Sequence, residues 1–305
     1  MVENATIPHR GPVRALISAL RPRQWVKNGL VVVAPAAGGV LFQGHVLVRC
    51  AIAFGAFCLS ASGIYLLNDV RDVAADRVHP VKRRRAIASG QLNPHLAVVL
   101  GGLFVLGGVA FTQIGGFNSA LGLVLGVYVV NSVAYIFGLK RVAVIEMASV
   151  AAGFFLRSIA GAAATHLKIS TWFLVVISFG ALFLVVGKRM AELHRLGEKA
   201  AEHRAVLADY TESFLNSAIT MTATVTVTGY CLWAFDTSTV GLSSIHSHIV
   251  AIRLTVVPVV LAILHILRLL LGGGGGTPEE LVLEDRTVQS LVVVWGVLIA
   301  IGIYA

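Results

Sequence analysis

The sequence predicts an all-α integral membrane protein that crosses the bilayer nine times. Of its 305 residues, 57% are apolar and only 13% are charged, and the mean hydropathy is +0.84. Soluble domains carry about 25% charged residues. A chain of this composition cannot bury its apolar surface in one core, so we expect lipid to be the solvent for much of it.

Nine apolar stretches approach the length of about 20 residues that a spanning helix needs. In chain order they are 25–43, 46–67, 94–113, 118–138, 142–164, 170–187, 212–235, 247–270 and 288–305. Pro35 and Pro258 fall inside two of them, where neighbouring helices can compensate for the lost hydrogen bond. We therefore predict one nine-helix domain over 25–305, preceded by an N-terminal segment, 1–24, that lacks the features of a cleavable signal peptide.

The basic residues predict the orientation in the membrane. With the N-terminus and the connections at 68–93, 139–141, 188–211 and 271–287 on one side, that side holds all of the 24 Lys and Arg except four: Arg49, Arg157, Lys168 and Arg253. Positively charged loops stay in the cytoplasm. We expect a multi-pass protein of a bacterial plasma membrane, with a cytoplasmic N-terminus and an external C-terminus.

The sequence also argues against a nucleic-acid-binding protein and against cysteine-based sites. The net charge of +9 is scattered over short connections, and no aromatic-lined basic domain exists to bind nucleic acid. The three cysteines lie in apolar segments without a CxxC pair, so we predict neither a disulfide nor a cysteine metal site.

The connection 68–93 carries the clearest chemical signal. Asp69, Asp72 and Asp76 are spaced by three and four residues, which places them on one face of a helix. Mg²⁺ would relieve the repulsion among three such carboxylates while leaving coordination positions for substrate phosphates. On spacing alone, a solvated acidic helix end explains the pattern about as well.

The residues that follow favour the metal interpretation. His79 and the basic run Lys82 to Arg85 come next, and then Ser89-Gly90. Carboxylates for a metal beside bases for phosphate oxygens are the groups that hold a diphosphate.

This stretch resembles the first aspartate-rich motif of the UbiA prenyltransferase superfamily. The matching pattern is Asn68-Asp69-x-x-Asp72-x-x-x-Asp76, then His79-Pro80-x-Lys82-Arg83-x-Arg85-x-Ile87-Ala88-Ser89-Gly90. The resemblance implies a nine-helix bundle with a cytoplasm-facing polar cavity, in which Mg²⁺ binds a diphosphate. It implies that the three aspartates are catalytic, that they and Asn68 ligate the metal, and that Lys82, Arg83 and Arg85 bind substrate. Ala86 stands where relatives usually have Pro, which loosens the loop but removes no ligand.

A second region indicates the branch of the superfamily. Most members carry a second acidic motif after the sixth helix, but here that position reads GKRMAELHR (187–195), with Lys188 and Arg189. The exchange of acid for base favours a donor with an additional phosphate, namely phosphoribosyl diphosphate. Stretches 20–35, 135–164 and 170–193 also resemble the phosphoribosyltransferase branch, which implies transfer to a membrane-bound polyprenyl (decaprenyl) phosphate for cell-wall arabinan synthesis.

Several single residues have both a structural and a functional interpretation. Arg157 lies within the fifth span, where an unpaired charge is costly, and Glu146 lies three turns earlier on nearly the same face. Contacts with lipid headgroups would also explain Arg23 and Lys27, and snorkelling to the interface would explain Lys140. Lys188 and Arg189 could equally be positive-inside anchors, but we assign these residues to substrate binding. The full predicted substrate-binding set is Arg23, Lys27, Asn68, Lys82, Arg83, Arg85, Tyr135, Lys140, Glu146, Arg157, Lys188 and Arg189.

Two alternative functions remain open at this point. An aromatic prenyltransferase with a prenyl diphosphate donor predicts a second acidic motif, which 187–195 lacks. A transporter or lipid-binding protein would not need three clustered carboxylates at one membrane face, and inverted repeats would be expected. The sequence leaves homo-oligomer formation open.

Overall fold

The computed structural model describes residues 11–114, 116, 118–197, 205–236, 246–273 and 276–305. These residues are helical and contain no strand. The α-helices are α1 Pro12–Leu20, α2 Val33–Ala37, α3 Gly44–Arg71, α4 Val73–Val78, α5 Pro94–Phe111, α6 Ser119–Phe137, α7 Ile145–Thr165, α8 Thr171–Leu196, α9 Glu212–Phe235, α10 His246–Leu254, α11 Val256–Leu271, α12 Pro278–Glu284 and α13 Arg286–Tyr304. Residues 1–10 of the predicted N-terminal segment, and parts of the predicted connections 188–211 and 271–287, lie outside the described residues.

Eight described helical segments are long and apolar enough to cross a membrane, so the prediction of a multi-pass helical protein is confirmed. They are α3, α5, α6, α7, α8, α9, α13 and the segment His248–Leu271. Each matches one of the predicted stretches. α8 continues nine residues past the predicted end, to Leu196.

The first predicted span is not a regular α-helix. Residues Pro22–Val32 form a 3₁₀-helix that continues into the short helix α2. Pro35 has no N–H for the carbonyl of Val31, and a Cβ on Gly161 of α7 would collide with that carbonyl. Glycine at 161 therefore permits the close approach. At about 2.0 and 1.5 Å per residue for 3₁₀- and α-helix, the 16 residues of Pro22–Ala37 extend about 30 Å. A ninth crossing by this segment remains a prediction.

Pro258 explains the interruption between α10 and α11 in the eighth predicted span. Its missing N–H leaves the carbonyl of Leu254 without the helical hydrogen bond, and α10 ends there. Thr255 between α10 and α11 is fully buried, and its hydroxyl accepts a hydrogen bond from the Tyr230 hydroxyl at 2.8 Å.

Helix α7 lies at the centre of the bundle and positions the polar residues described below. It contacts the 3₁₀-helix Pro22–Val32, α3, α6 and α8. On one side of α7, α3 packs against α5 through Gly63, Gly101 and Gly108, where added side chains would meet the facing helix. On the other side, α8 and α9 share a core that includes Phe183, Leu215 and Ile219.

Helix α3 is longer than the hydrocarbon core of a bilayer is thick, and the first aspartate of the motif lies in its last turn. Its 28 residues extend about 42 Å at 1.5 Å per residue, against a hydrocarbon thickness of about 30 Å. The end of α3, the end of α6 and the beginning of α7 meet at the same end of the bundle. The last turn of α3 can therefore reach polar groups at that end.

Candidate active site

The three predicted aspartates lie at the end of α3 but do not share one helix. α3 ends at Arg71, Asp72 lies between α3 and α4, and Asp76 belongs to α4. Asp69 and Asp76 are each 3% exposed, whereas the side chain of Asp72 is 29% exposed. The expectation of one continuous helical face is therefore wrong, because the backbone at Asp72 departs from helical geometry, with φ −94° and ψ 4°.

Each aspartate pairs with a cation from another part of the chain. Asp69 accepts hydrogen bonds from Arg21 at 2.5 Å and from Arg85 at 3.1 Å. The same Nη1 atom of Arg85 donates to Asp76 at 2.7 Å. The carboxylate of Asp72 pairs with the Lys140 ammonium at 2.6 Å.

Arg21 is the residue of this cluster that sequence reasoning missed. It ends α1 in a left-handed conformation, with φ 53°, and Pro22 follows it. Its guanidinium lies 5.0 Å from the centre of the Tyr65 ring. The sequence signal for a helix end at Arg21 was the proline that follows it, because helices usually end before a proline. Arg23, the neighbour that was predicted instead, is exposed.

The basic loop after α4 folds back over this cluster. The Nδ1 atom of His79 accepts hydrogen bonds from the backbone N–H groups of Val81 and Lys82, at 3.1 and 3.3 Å. Among the described residues, the Nε of Arg83 is buried without a hydrogen-bond partner. An added anionic group could therefore satisfy this donor.

A cavity of about 260 Å³, lined by both polar and apolar side chains, lies beside the aspartate cluster. Four residues of the predicted set line it: Lys27, Asn68, Tyr135 and Arg157. Arg21 connects the cavity to the aspartates, since it lines the one and binds the other. The remaining polar lining, which sequence reasoning did not identify, comes from Tyr65, Tyr128, Asn131, Ser132 and Ser149.

Arg157 is held in the wall of this cavity by neutral groups. Its guanidinium donates to the side-chain oxygen of Asn28 at 2.7 Å, to the carbonyl of Gly153 at 2.7 Å and to the hydroxyl of Tyr128 at 2.8 Å. It is 7% exposed, and no carboxylate pairs with it among the described residues. A buried charge compensated only by dipoles makes the cavity attractive to an anion.

Glu146 and Arg189 form a separate buried ion pair outside the lining of this cavity. Arg189 donates from Nε and Nη2 to the two carboxylate oxygens of Glu146, at 2.6 and 3.0 Å, and from Nη1 to Glu192 at 2.7 Å. Glu146 and Arg189 are 0% and 2% exposed. Glu146 thus pairs with Arg189 rather than with Arg157, and the base at position 189 is already neutralised within the protein. Lys188 beside it is partly exposed.

The hydroxyl of Tyr210 completes this second network. It donates to Glu146 at 3.4 Å and accepts a hydrogen bond from the backbone N–H of Val144 at 2.8 Å. Burial raises the pKa of Tyr210 further above neutral pH than that of an ordinary tyrosine, so its hydroxyl is a proton donor here. Sequence reasoning did not identify Tyr210, which lies 64 residues from Glu146.

Comparison with known proteins decides the family. The model of the UbiA prenyltransferase family matches residues 30–279. The chain belongs to this family. It is 40% identical over 307 residues to a decaprenyl-phosphate phosphoribosyltransferase of Mycolicibacterium smegmatis, covering 97% of this chain and 95% of the relative. It is 39% identical over 299 residues to the enzyme of the same name from Corynebacterium glutamicum, covering 97% and 89%.

Solved structures of UbiA homologues share the fold. A homologue from Archaeoglobus fulgidus, bound to DMAPP and Mg²⁺, superimposes with a TM-score of 0.67 at 14% identity, covering 94% of this chain and 97% of the other. A digeranylgeranylglyceryl phosphate synthase gives a TM-score of 0.66 at 11% identity, covering 96% and 97%. This UbiA family member is accordingly a transferase with a helical membrane fold.

The aspartate cluster offers suitable donors for a divalent cation, although not as three grouped carboxylates. In the described part of the chain, no group of three or more His, Cys, Asp and Glu side chains is placed to hold a metal. Oxygens of Asp69 and Asp76, however, converge on a single nitrogen of Arg85. Mg²⁺ is commonly bound by one or two carboxylates, with water and phosphate oxygens completing its coordination shell. Two carboxylate oxygens that converge on one point provide such ligands. The residues therefore fit a metal if Arg85 turns away.

Proposed function

We propose that this protein transfers the 5-phosphoribosyl group from phosphoribosyl diphosphate to a polyprenyl phosphate and releases pyrophosphate. Decaprenyl phosphate is the acceptor that the relatives' name indicates. The product would be a polyprenyl-phosphoryl-phosphoribose, and by analogy it would serve as a precursor of cell-wall arabinan (arabinogalactan).

The environment of Arg157 is the observation that most supports this proposal. A prenyl diphosphate presents one anionic group, which the aspartate cluster with a metal would accommodate. Phosphoribosyl diphosphate presents a second, separate phosphate, and Arg157 supplies a buried cation in the cavity wall with neutral partners only, among the described residues. Lys27, whose ammonium lies 5.8 Å from the centre of the Phe154 ring, lines the same cavity. A donor with two anionic ends suits a cavity with cations at two places.

We assign the metal to Mg²⁺, held by Asp69 and Asp76 with Asp72 and Asn68 beside them. Bound there, it would neutralise the charge that develops on the departing pyrophosphate. Arg21, Arg85 and Lys140 would then turn from the aspartates toward phosphate oxygens. Lys82, Arg83 and Lys188 border this end of the bundle and would add positive charge.

The reaction needs orientation more than proton transfer. The bond from C1 of the ribose to the diphosphate oxygen breaks, and a phosphate oxygen of the acceptor forms the new bond to C1. Because the acceptor phosphate is already anionic at pH 7, no strong general base is required. Positioning by the cavity and stabilisation of charge by its bases would supply most of the rate.

The bundle provides an apolar wall for the acceptor beside the polar one. Ile64, Ile136, Val150 and Phe154 line the same cavity as Lys27 and Arg157. The first isoprene units of the acceptor would pack there, while the water-soluble donor enters from the end that holds the aspartates. We infer that this end faces the cytoplasm, because the predicted cytoplasmic connections carry most of the basic residues.

Radiolabelled donor tests the proposal directly. Membranes containing the protein receive labelled phosphoribosyl diphosphate, polyprenyl phosphate and Mg²⁺, and the lipid fraction is extracted. We expect labelled lipid, and we expect Asp72→Ala to abolish it. A parallel reaction with a labelled prenyl diphosphate and an aromatic acceptor tests the alternative donor. Label transferred only in that second reaction would overturn the assignment.

A further inference from the structure

The connection between α6 and α7 contains a strained turn. Val144 has φ 66° and ψ −48°, and the N–H of Ile145 donates to the carbonyl of Ala143 at 2.7 Å. This is a γ-turn with a positive central φ, which is rare, and a β-branched residue adopts such a φ at a cost. Strained backbone of this kind costs about 1–3 kcal/mol and persists only where surrounding groups hold it.

Tyr210 is hydrogen-bonded directly to this turn. Its hydroxyl accepts the hydrogen bond from the N–H of Val144 at 2.8 Å and donates to the buried carboxylate of Glu146. The ring itself is fixed, because Tyr210 is 5% exposed, packs in the core beside Leu207 and stacks on Phe214 at 5.8 Å between ring centres. The turn is thus tied to a rigid anchor 66 residues away in the chain.

The strained turn shares a short connection with a residue of the candidate site. Lys140 lies in the 3₁₀-helix Leu139–Arg141, three residues before the turn begins at Ala143, and its ammonium contacts Asp72 at 2.6 Å. α6 ends at Phe137 and α7 begins at Ile145, so only seven residues connect them. Because the connection is this short, we expect relaxation of the backbone at Val144 to displace Lys140.

We propose that Tyr210 is a positioning residue that holds the turn at Val144 and thereby keeps Lys140 at Asp72. Its hydroxyl does not line the cavity of the candidate site and does not contact the aspartates. The effect on catalysis rests on the proposed phosphoribosyl transfer, whereas the effect on the connection 138–144 does not.

Tyr210→Phe removes the hydroxyl and leaves the ring in the core. We expect the variant to fold, because the ring keeps its packing and Glu146 keeps both hydrogen bonds from Arg189. Hydrogen exchange of the peptide covering 139–146 should accelerate, and Lys140 should be acylated faster by an amine-reactive ester, as mass spectrometry would record. The matched control is Tyr230→Phe, which removes another buried hydroxyl, one that bonds Thr255 and Trp295.

Relief of the strain provides a rescue that general destabilisation would not show. Glycine adopts a positive φ without a steric cost. We therefore expect Val144→Gly, added to Tyr210→Phe, to return the acylation rate of Lys140 toward the wild-type value. For phosphoribosyl transfer, kcat/KM for the donor should fall about threefold to tenfold in Tyr210→Phe, the range of one hydrogen bond, and recover in the double variant.

The outcomes separate this inference from the proposed function. Unchanged exchange and acylation in Tyr210→Phe would overturn the positioning role, whatever the activity. Equal acceleration at 139–146 in Tyr230→Phe, or no rescue by Val144→Gly, would also overturn it, since the effect would then be non-specific. A wild-type protein without phosphoribosyl transfer, but with the expected exchange and acylation, would leave the turn mechanism intact and refute only the proposed reaction.

Discussion

Replacement of Arg189 by Met should destabilise the protein severely, and a second replacement, Glu146→Met, should restore most of the loss. The two side chains are 2% and 0% exposed and share two hydrogen bonds of 2.6 and 3.0 Å. Removal of one partner leaves the other charge buried without compensation, which costs about 3–5 kcal/mol.

The double variant removes both charges together. Replacement of a buried ion pair by apolar side chains of similar volume is often neutral or stabilising. Glu192, the second acceptor of Arg189, has a side chain that is 27% exposed and can be hydrated instead. We therefore expect the double variant to lie within about 2 kcal/mol of wild type, which makes the coupling between the two sites about 4 kcal/mol or more.

Reversible unfolding in mixed micelles measures these free energies, and donor KM measured on the same samples addresses function. If Arg189 acted by binding substrate, as the sequence pattern predicted, the double variant would regain stability but show a greatly raised donor KM. Free-energy changes of the two single variants that simply add in the double variant would refute the assignment of a coupled internal pair.

Three further perturbations follow from the contacts. Arg157→Gln should raise the donor KM by about tenfold to a hundredfold, the range of hydrogen bonds to a charged group, with little change in acceptor KM; an unchanged donor KM would contradict its phosphate role. Gly161→Ala should cost about 1–3 kcal/mol through the clash with the backbone of the 3₁₀-helix, whereas Gly126→Ala, with open space around its Cβ, should not; equal effects would refute the close contact. A hydrogen bond from the backbone N–H of Thr277 lowers the pKa of Glu280 in the folded protein. The ionised Glu280 carboxylate therefore stabilises α12 fully above about pH 4.3, the ordinary pKa of Glu, and this stabilisation is lost as the pH falls through the lowered folded-state pKa. Hydrogen exchange in α12 should accelerate with acid in wild type, and a Glu280→Gln variant with the same acid response would exclude this carboxylate as the cause.

The long helices were predictable from the lengths of the apolar stretches in the sequence. The stretch 212–235 coincides with α9, and the other long helices, apart from the end of α8, begin and end near their predicted limits, because about 20 apolar residues have few alternatives to a spanning helix. The segment 25–43 was harder to predict. Its 3₁₀-helix packs closely on α7 where Val31 contacts Gly161, a residue 130 positions away that no local pattern reveals.

The charges of the candidate site were predictable, but their partners were not. Asp69, Asp72 and Lys140 were all identified from the sequence, yet nothing in the spacing indicates that Lys140 pairs with Asp72 or that Arg21 pairs with Asp69. These pairs join residues 68 and 48 positions apart, and they form because α1, α3 and the connection after α6 end at the same place. Arg189 is a second example. It stands where most relatives have an acidic motif, and the structure pairs it with the buried Glu146, which the sequence did not indicate.

The pairing of charges has a consequence for the order of events at this site. Asp69, Asp72 and Asp76 face Arg21, Arg85 and Lys140, so the cluster is electrically balanced before any ligand arrives. A diphosphate alone would have to compete with the aspartates for the same three cations, and a metal alone would have to displace those cations from the aspartates. If the two arrived together, the metal would replace the basic side chains at the carboxylates, and phosphate oxygens would replace the carboxylates at the basic side chains. Neither the carboxylates nor the basic side chains would then be left unpaired, which favours binding of the metal and the diphosphate as one unit over binding of either alone.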